Sequence, residues 1–384
     1  MTYLDYAATA PLLEEPFEAM LPYLEREFGN PSSLYAAGRE AKKGIEESRE
    51  QVAEAVGALP SEIIFTGGGT EADNLALKGA AFKNRGQGDH IVVSRIEHHA
   101  VLHSAEWLER RGFRITYVPV SPDGVVDLDA LEAALTPKTI LVSIMLVNNE
   151  VGTVQPVTDA VARIRGRCRA LVHTDAVQAL GKVRVDLDDI GVDLASFSAH
   201  KVGGPKGVGA LFVRRKTPLE AVLHGGGQER DLRSGTPNVA GIAGFGAAAQ
   251  IAAKEADQES GRLAPLRDRL ESDIKDSIER VQVNGAGAER VAATANLCIE
   301  GVEGESLLLM LDAEGIAASS GSACTSGSLD PSHVLTAMGI PKDLAIGSLR
   351  LSLGRGSTAA DVDRVTAALP GIVERLRSVG RGRP

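Results

Sequence analysis

Several short stretches of this chain set polar or reactive side chains among small neighbours. The first is Thr66-Gly67-Gly68-Gly69-Thr70-Glu71-Ala72, which follows an apolar run and opens a helical pattern. Bare glycine backbone at a helix N-terminus offers free N–H groups and the positive end of the helix dipole, which together suit an anion such as a phosphate. Thr70 adds a hydroxyl donor. Two other readings fit the same residues. Gly67-x-Gly69-x-x-Ala72 satisfies the relaxed dinucleotide pattern, with Glu97 placed to imitate its acid. A tight strand-to-helix turn is the structural alternative.

Asp175 ends an apolar strand pattern in His173-Thr174-Asp175-Ala176-Val177-Gln178, and Lys201 follows another in Ser196-Phe197-Ser198-Ala199-His200-Lys201. Open α/β sheets bind ligands at the carboxyl ends of their strands, so Asp175, Lys201 and the Gly67–Thr70 turn converge on one crevice. Lysine forms a Schiff base, aspartate keeps a pyridine nitrogen protonated, and the cradle holds a phosphate. Those are the parts of a pyridoxal phosphate site, and a dehydrogenase needs neither the lysine nor the aspartate. Alone, each is weak: a lone lysine is usually solvated and an aspartate at a strand end is often a helix cap.

Glu97-His98-His99 also follows a strand pattern, so an imidazole there can stack on a cofactor ring and move protons. His99 and His103 have the i, i+4 spacing of a zinc pair, but no third ligand is apparent. Asn148-Asn149-Glu150 follows a further strand and can offer an amide to ring or substrate. Last comes Ser319-Ser320-Gly321-Ser322-Ala323-Cys324-Thr325-Ser326-Gly327. A cysteine in so small and polar a setting is a candidate exposed nucleophile, unlike Cys298, which sits among apolar neighbours. The segment buries too little to offset its ordering entropy, so a loop that moves is expected.

The elements that must position these residues are legible. Strand patterns fall at 62–66, 90–94, 113–118, 139–145, 170–174, 193–197 and 208–213, separated by helical stretches. That alternation predicts an α/β fold with a mostly parallel sheet covered by helices. Helices are expected at 238–255 and 259–280, followed by strand 295–300, helix 304–313, helix 331–338, strand 347–353 and helix 358–377. These outline a large domain, 14–255, and a smaller α+β domain, 256–384, with segment 1–13 packed against the latter.

The chain has 384 residues, 43% of them hydrophobic, and a net charge of -10. The acidity argues against a non-specific nucleic-acid binder. Arg375, Arg377, Arg381 and Arg383 make a basic tail that either frays or docks an acidic partner. Three cysteines make no disulfide framework and fit a reducing, cytoplasmic setting. No signal peptide and no membrane span is apparent.

Nearly end to end, the chain resembles the group I cysteine desulfurases, the NifS/IscS type, of the fold-type I class V aminotransferase superfamily. The resemblance is carried by Tyr3-Leu4-Asp5-Tyr6-Ala7-Ala8-Thr9, Gly29-Asn30-Pro31-Ser32-Ser33, Val147-Asn148-Asn149-Glu150, Asp175-Ala176-Val177-Gln178, Ser198-Ala199-His200-Lys201, Gly225-Gly226-Gly227-Gln228-Glu229-Arg230, Arg233-Ser234-Gly235-Thr236-Pro237, Gly321-Ser322-Ala323-Cys324-Thr325-Ser326 and Leu349-Arg350-Leu351-Ser352. It implies that Lys201 is the Schiff-base lysine and base, that Asp175 pairs with the pyridine nitrogen, and that Gln178 bonds the ring hydroxyl. It implies that His98 stacks on the ring, that Gly69, Thr70, Ser198 and His200 hold the phosphate, and that Thr236 reaches it from the other subunit of a homodimer. Arg350, with Asn30 and Asn149, then binds the carboxylate of L-cysteine. Cys324 takes the sulfur as a persulfide for an acceptor or scaffold protein, in iron–sulfur assembly or thiolation, with transient iron–sulfur contact through Cys324 as its one link to metal. A selenocysteine lyase or a class V aminotransferase is the alternative on the same scaffold. Two departures stand out: Gly69 where many relatives have alanine, and His99 where many have lysine.

Overall fold

The computed structural model describes residues 1–320 and 331–380. The chain opens with β1 (Thr2–Tyr3), α1 (Glu14–Glu25) and α2 (Ala36–Ala55). Strands and helices then alternate as β2 (Ile63–Thr66), α3 (Gly69–Asn84), β3 (His90–Ser94), α4 (His99–Glu109), β4 (Arg114–Val118), α5 (Leu128–Ala134) and β5 (Thr139–Ser143). They continue as α6 (Val157–Arg167), β6 (Leu171–Asp175), α7 (Leu187–Ile190), β7 (Leu194–Ser198) and β8 (Gly209–Val213). The sheet order is β2-β8-β7-β6-β5-β3-β4. Only β8 runs against its neighbours, β7 and β2. The expected mostly parallel sheet is therefore present, with every strand-rich run from 62–66 to 208–213 in it.

Both faces of this sheet are buried, as the continuous apolar runs require. Alternate residues of one strand point to opposite sides: Val92 packs into a core with Val142, Val172 and Phe245, whereas Ile91 and Val93 pack with Leu77 and Leu108. The parallel strands share one polarity, so Thr66, Ser94, Ser143, Asp175 and Ser198 all end at the same edge.

The helix α8 (Val239–Ser277) corrects one expectation. The two helices anticipated at 238–255 and 259–280 are a single helix of 39 residues, because Glu255-Ala256-Asp257-Gln258-Glu259 contains nothing that breaks a helix. Its first half gives Ile242, Phe245 and Ala249 to the main core. Its second half gives Leu263, Leu270 and Ile274 to a separate core. That second core is built with β9 (Val281–Val283), β10 (Thr294–Ile299), α9 (Gly304–Ala313), β11 (Ile316–Ala317), β12 (Ser348–Ser352) and α12 (Ala359–Gly380), while α10 (His333–Ala337) and α11 (Lys342–Ala345) pack with Ile96, Met145 and Cys298 in a further cluster. β12, β10 and β9 form an antiparallel sheet. β1 pairs with β11, and Leu4 is buried in the second core. The N-terminal strand thus hands the following residues, Asp5 to Thr9, across to the edge where the parallel strands end.

Candidate active site

The carboxyl edge of the sheet opens on a cavity of about 340 Å³. Gly69, Thr70, His98, Asn149, Asp175, Gln178, Ser198, His200, Lys201 and Arg350 line it. Asn30 and Thr236 do not line it in this single chain, and both are exposed. Cys324 and the loop expected to move lie outside the described residues, but Ser319 and Ser320, which lead to them, form part of the wall.

At one end the turn after β2 brings in α3. Gly68 sits at φ 149°, a conformation closed to most side chains. The first turn of α3 leaves the N–H groups of Gly69, Thr70 and Glu71 without intrahelical acceptors. A Cβ on Gly69 would lie 2.8 Å from Val177 Cγ2, so the bare glycine lets the helix start press against the residues that follow Asp175. Ser198, His200 and Lys206 face the same hollow. Burial, then the charges of Lys201 and Lys206, lowers His200 to about 4, so it is a neutral ring, and its Nδ1 lies 3.1 Å from Thr9 Oγ1. Donors without competing acceptors and a cation make an anion cradle.

In the middle, Asp175 ends β6 with Oδ1 accepting from Val177 N at 2.9 Å. Burial pushes its carboxyl up to about 6, against the Val177 hydrogen bond and the charge of Lys201. Lys201 stands in a tight turn after β7, and its Nζ donates to the carbonyls of Ala7 at 2.7 Å and Ala8 at 2.9 Å. His98 caps α4: its Nδ1 accepts from Ala100 N at 3.1 Å. Burial, then Lys201, lowers it to about 4. The ring is therefore neutral, and the cap places its proton on Nε2.

At the far end Arg350 reaches in from β12. Its Nη2 pairs with Asp5 Oδ1 at 2.9 Å and its Nη1 donates to the Asn149 carbonyl at 2.9 Å. Its Nε and the Asn149 Oδ1 are both buried without an acceptor or donor among the described residues. Buried polar groups are normally satisfied, so these two mark a place for a polar ligand.

The family model of the class-V aminotransferases matches residues 2–365. The chain belongs to this family. Among curated relatives, the cysteine desulfurase IscS of Methanosarcina thermophila is 50% identical over 377 residues, which are 98% of this chain and 93% of that protein. A solved NifS-like protein superposes with a TM-score of 0.89 at 37% identity, covering 98% of each chain. SspA, solved in complex with cysteine, superposes with a TM-score of 0.81 at 36% identity, covering 92% of this chain and 99% of that one.

A class-V aminotransferase is a pyridoxal-phosphate enzyme, and the residues here fit the cofactor. The anion cradle suits its phosphate, Asp175 its pyridine nitrogen, the flat neutral His98 its ring, and Lys201 its aldehyde carbon. The dinucleotide alternative has no support in this geometry. Glu97 is fully buried, and its Oε1 accepts from Ser94 Oγ at 2.5 Å and Met145 N at 2.8 Å. The zinc pairing of His99 and His103 has none either. Their rings stack at 4.8 Å, and among the described residues no three metal-type side chains are grouped to hold an ion.

Sequence reasoning missed Asp5, Asp73 and Lys182. Asp73 also lines the cavity, and burial, with the Asp175 charge next, raises its carboxyl. Its place one turn after Thr70, on the face of α3 that covers the sheet, was a readable signal. Asp5 lies far from Arg350 in sequence, and the pairing of the N-terminal strand with β11 and the bridge from Asp5 to Ser352 of β12 bring it there.

Proposed function

We propose that this chain removes sulfur from L-cysteine, releases L-alanine and carries the sulfur as a persulfide on Cys324. The observation that carries the reading is the convergence of Lys201, Asp175, His98 and Arg350 in one cavity whose wall includes Ser319 and Ser320. Cys324 is four residues beyond Ser320, a reach of up to about 14 Å for extended chain. Support also comes from relatives of matching length that carry the name cysteine desulfurase.

The bound cofactor supplies an electron sink for charge developing at the substrate Cα. The residues do the rest. Arg350 binds the substrate carboxylate, exchanging its contact with Asp5, and Asn149 assists with its amide N–H. Lys201 accepts the α-proton and returns it to carbon. Asp175 keeps the pyridine nitrogen protonated, and Gln178 donates to the ring oxygen. Neutral His98 lies on the ring and passes a proton from Nε2. The Cys324 thiolate attacks the substrate sulfur: an S–S bond forms, the Cβ–S bond breaks, and its electron pair stays with a carbon fragment that takes up protons to become alanine. Only a few per cent of an unperturbed thiol is ionised near pH 7, so the positive charges of this cavity also serve to ionise it.

Further parts of the reading are a homodimer in which Thr236 serves the partner's site, and a division near residue 255 into a cofactor unit and a smaller unit bearing Cys324. Delivery of sulfur to an acceptor or scaffold protein for iron–sulfur assembly or thiolation follows, in the cytoplasm. Support for the dimer is the exposure of Phe28 at 85% and Leu34 at 90%. Support for the two units is the pair of separate cores joined by α8. No helix among the described residues is long and apolar enough to cross a membrane.

The test is single-turnover mixing of the cofactor-loaded enzyme with cysteine, followed by protein mass analysis and alanine assay. A gain of one sulfur on Cys324 is expected, and Cys324→Ala is expected to keep its visible band while losing alanine release. Sulfur on Cys168 or Cys298 with Cys324 unmodified refutes the assignment. Consumption of a keto acid in place of cysteine points to an aminotransferase instead.

A further inference from the structure

Behind Lys201 lies a second cavity of about 360 Å³, and Lys201 lines both. A second lysine, Lys182, lines the rear one. Its Nζ donates to Gln178 Oε1. Gln178 Nε2 in turn donates to the Ala7 carbonyl at 2.8 Å, and the same carbonyl accepts from Lys201 Nζ at 2.7 Å. Lys182, Gln178, Ala7 and Lys201 are thus one hydrogen-bonded chain with a lysine at each end.

An ammonium group can only donate. Its contact therefore assigns the oxygen of the Gln178 amide to Lys182 and the nitrogen to the Ala7 side. One N–H of that nitrogen is taken by Ala7, and the other is left for the front cavity, whose wall Gln178 forms. While Lys182 is an ammonium, Gln178 presents a donor to the ligand. The same ammonium disfavours a second positive charge nearby.

We propose that Lys182 is a positioning residue of this site: it locks the Gln178 amide as a donor toward the cofactor's ring oxygen and opposes protonation at Lys201 Nζ. The proposal rests on the reading of Lys201 and Gln178 as cofactor contacts. The charges around Lys182 are consistent with it. Burial, then Lys201, then Arg350, lowers Lys182 itself to about 7. Across the rear cavity Glu255 and Glu259 are each paired with an arginine, Arg355 and Arg262, and Tyr6 lines the same wall. Among the described residues lining that cavity, no carboxylate is left over to neutralise Lys182.

The first measurement titrates the visible band of the enzyme loaded with pyridoxal phosphate. Lys182→Met keeps the length of the stem and removes donor and charge. Its band should titrate about one pH unit higher than that of wild type, since a neighbouring like charge has gone. Cofactor dissociation should be several-fold faster, and Lys182→Arg should restore the midpoint. A folded Lys182→Met with an unshifted midpoint overturns the proposal, because a structural role alone changes stability and not this titration. The second measurement needs neither variant nor cofactor: amine-selective labelling of the cofactor-free wild type across pH, read by peptide mass. Lys182 should label with a midpoint near 7. Labelling of Lys182 at the rate and midpoint of the exposed lysines would place it in open solvent, away from Gln178 and Lys201, and overturns the proposal. Should the wild type acquire no visible band, the cofactor reading of Lys201 fails, and the labelling still decides the placement of Lys182.

Discussion

Asp175 is an acid whose surroundings oppose the charge it must carry. Burial raises it to about 6. It is ionised above that pH and neutral below it, so cofactor-free protein should take up pyridoxal phosphate progressively less well from pH 7 down to pH 5. A binding titration across that range checks the sign, and affinity that rises toward pH 5 contradicts it. Removal of the carboxylate should act most strongly above pH 6, where it is charged. A charge-assisted hydrogen bond contributes about 1.5–3 kcal/mol, so Asp175→Ala should lose about 10- to 100-fold in cofactor affinity and turn over poorly, because an unprotonated ring is a weak electron sink. Wild-type turnover in that variant removes Asp175 from its role. Lys201→Ala should lack the visible band altogether, as read by absorbance after reconstitution.

The turn between β3 and α4 is the element that aims His98, and Glu97 holds that turn. Its Oε1 takes donors from Ser94 and from Met145 on the neighbouring segment, while its Oε2 has no partner among the described residues. Burial raises Glu97 to about 8 from 4.5. The folded chain therefore keeps a proton that the unfolded chain releases across that window, and the contribution of Glu97 to stability falls as pH rises through it. Glu97→Gln lacks this slope. Its melting temperature relative to wild type should climb between pH 5 and pH 8, by calorimetry of cofactor-free protein, and a constant difference would falsify the account. A second element-scale case is the loop 225–231. Glu229, Arg230 and Asp231 all have positive φ, and the Glu229 carboxylate is held by Arg49 at 2.8 Å and by Phe65 N at 2.8 Å. Breaking one partner of a buried pair leaves a bare charge, so Arg49→Ala should cost about 3–5 kcal/mol in denaturant unfolding.

At the scale of the whole molecule, the single chain leaves large apolar side chains in the open. Phe28, Leu34 and Tyr35 are exposed close to Asn30, and Leu223 is exposed ahead of the loop that leads to Thr236. Burial of Phe28 and Leu34 in a second copy would contribute about 1.5–3 kcal/mol for each side chain. Sedimentation should therefore find a dimer, and Leu34→Asp should shift it toward monomer with loss of cofactor retention. A wild-type monomer of full activity, or Thr236 found at the phosphate of its own chain, contradicts the shared site.

What the sequence determined by itself is local in origin. Apolar runs of strand length between helical patterns specified the seven-stranded sheet, because the runs, the half-exposed edge strand β4 apart, are buried on both faces and read so without any knowledge of their neighbours. Glycines before a helix, Asp175 and Lys201 could be assigned to one edge because parallel strands have one polarity. Two things were beyond its reach. The continuity of α8 across residue 255 was hidden because charged residues suit a helix and a linker alike, and only the two cores on either side of it keep that stretch helical. The contacts of Asp5 with Arg350, and of Lys201 and Lys182 through Ala7 and Gln178, were hidden because they depend on where the N-terminal strand is paired. That pairing is a contact between residues more than 300 positions apart, Thr2 with Ile316 and Tyr3 with Ala317. Two-residue strands carry too little pattern to announce a partner at such a distance; the burial of Leu4 in the second core decides it.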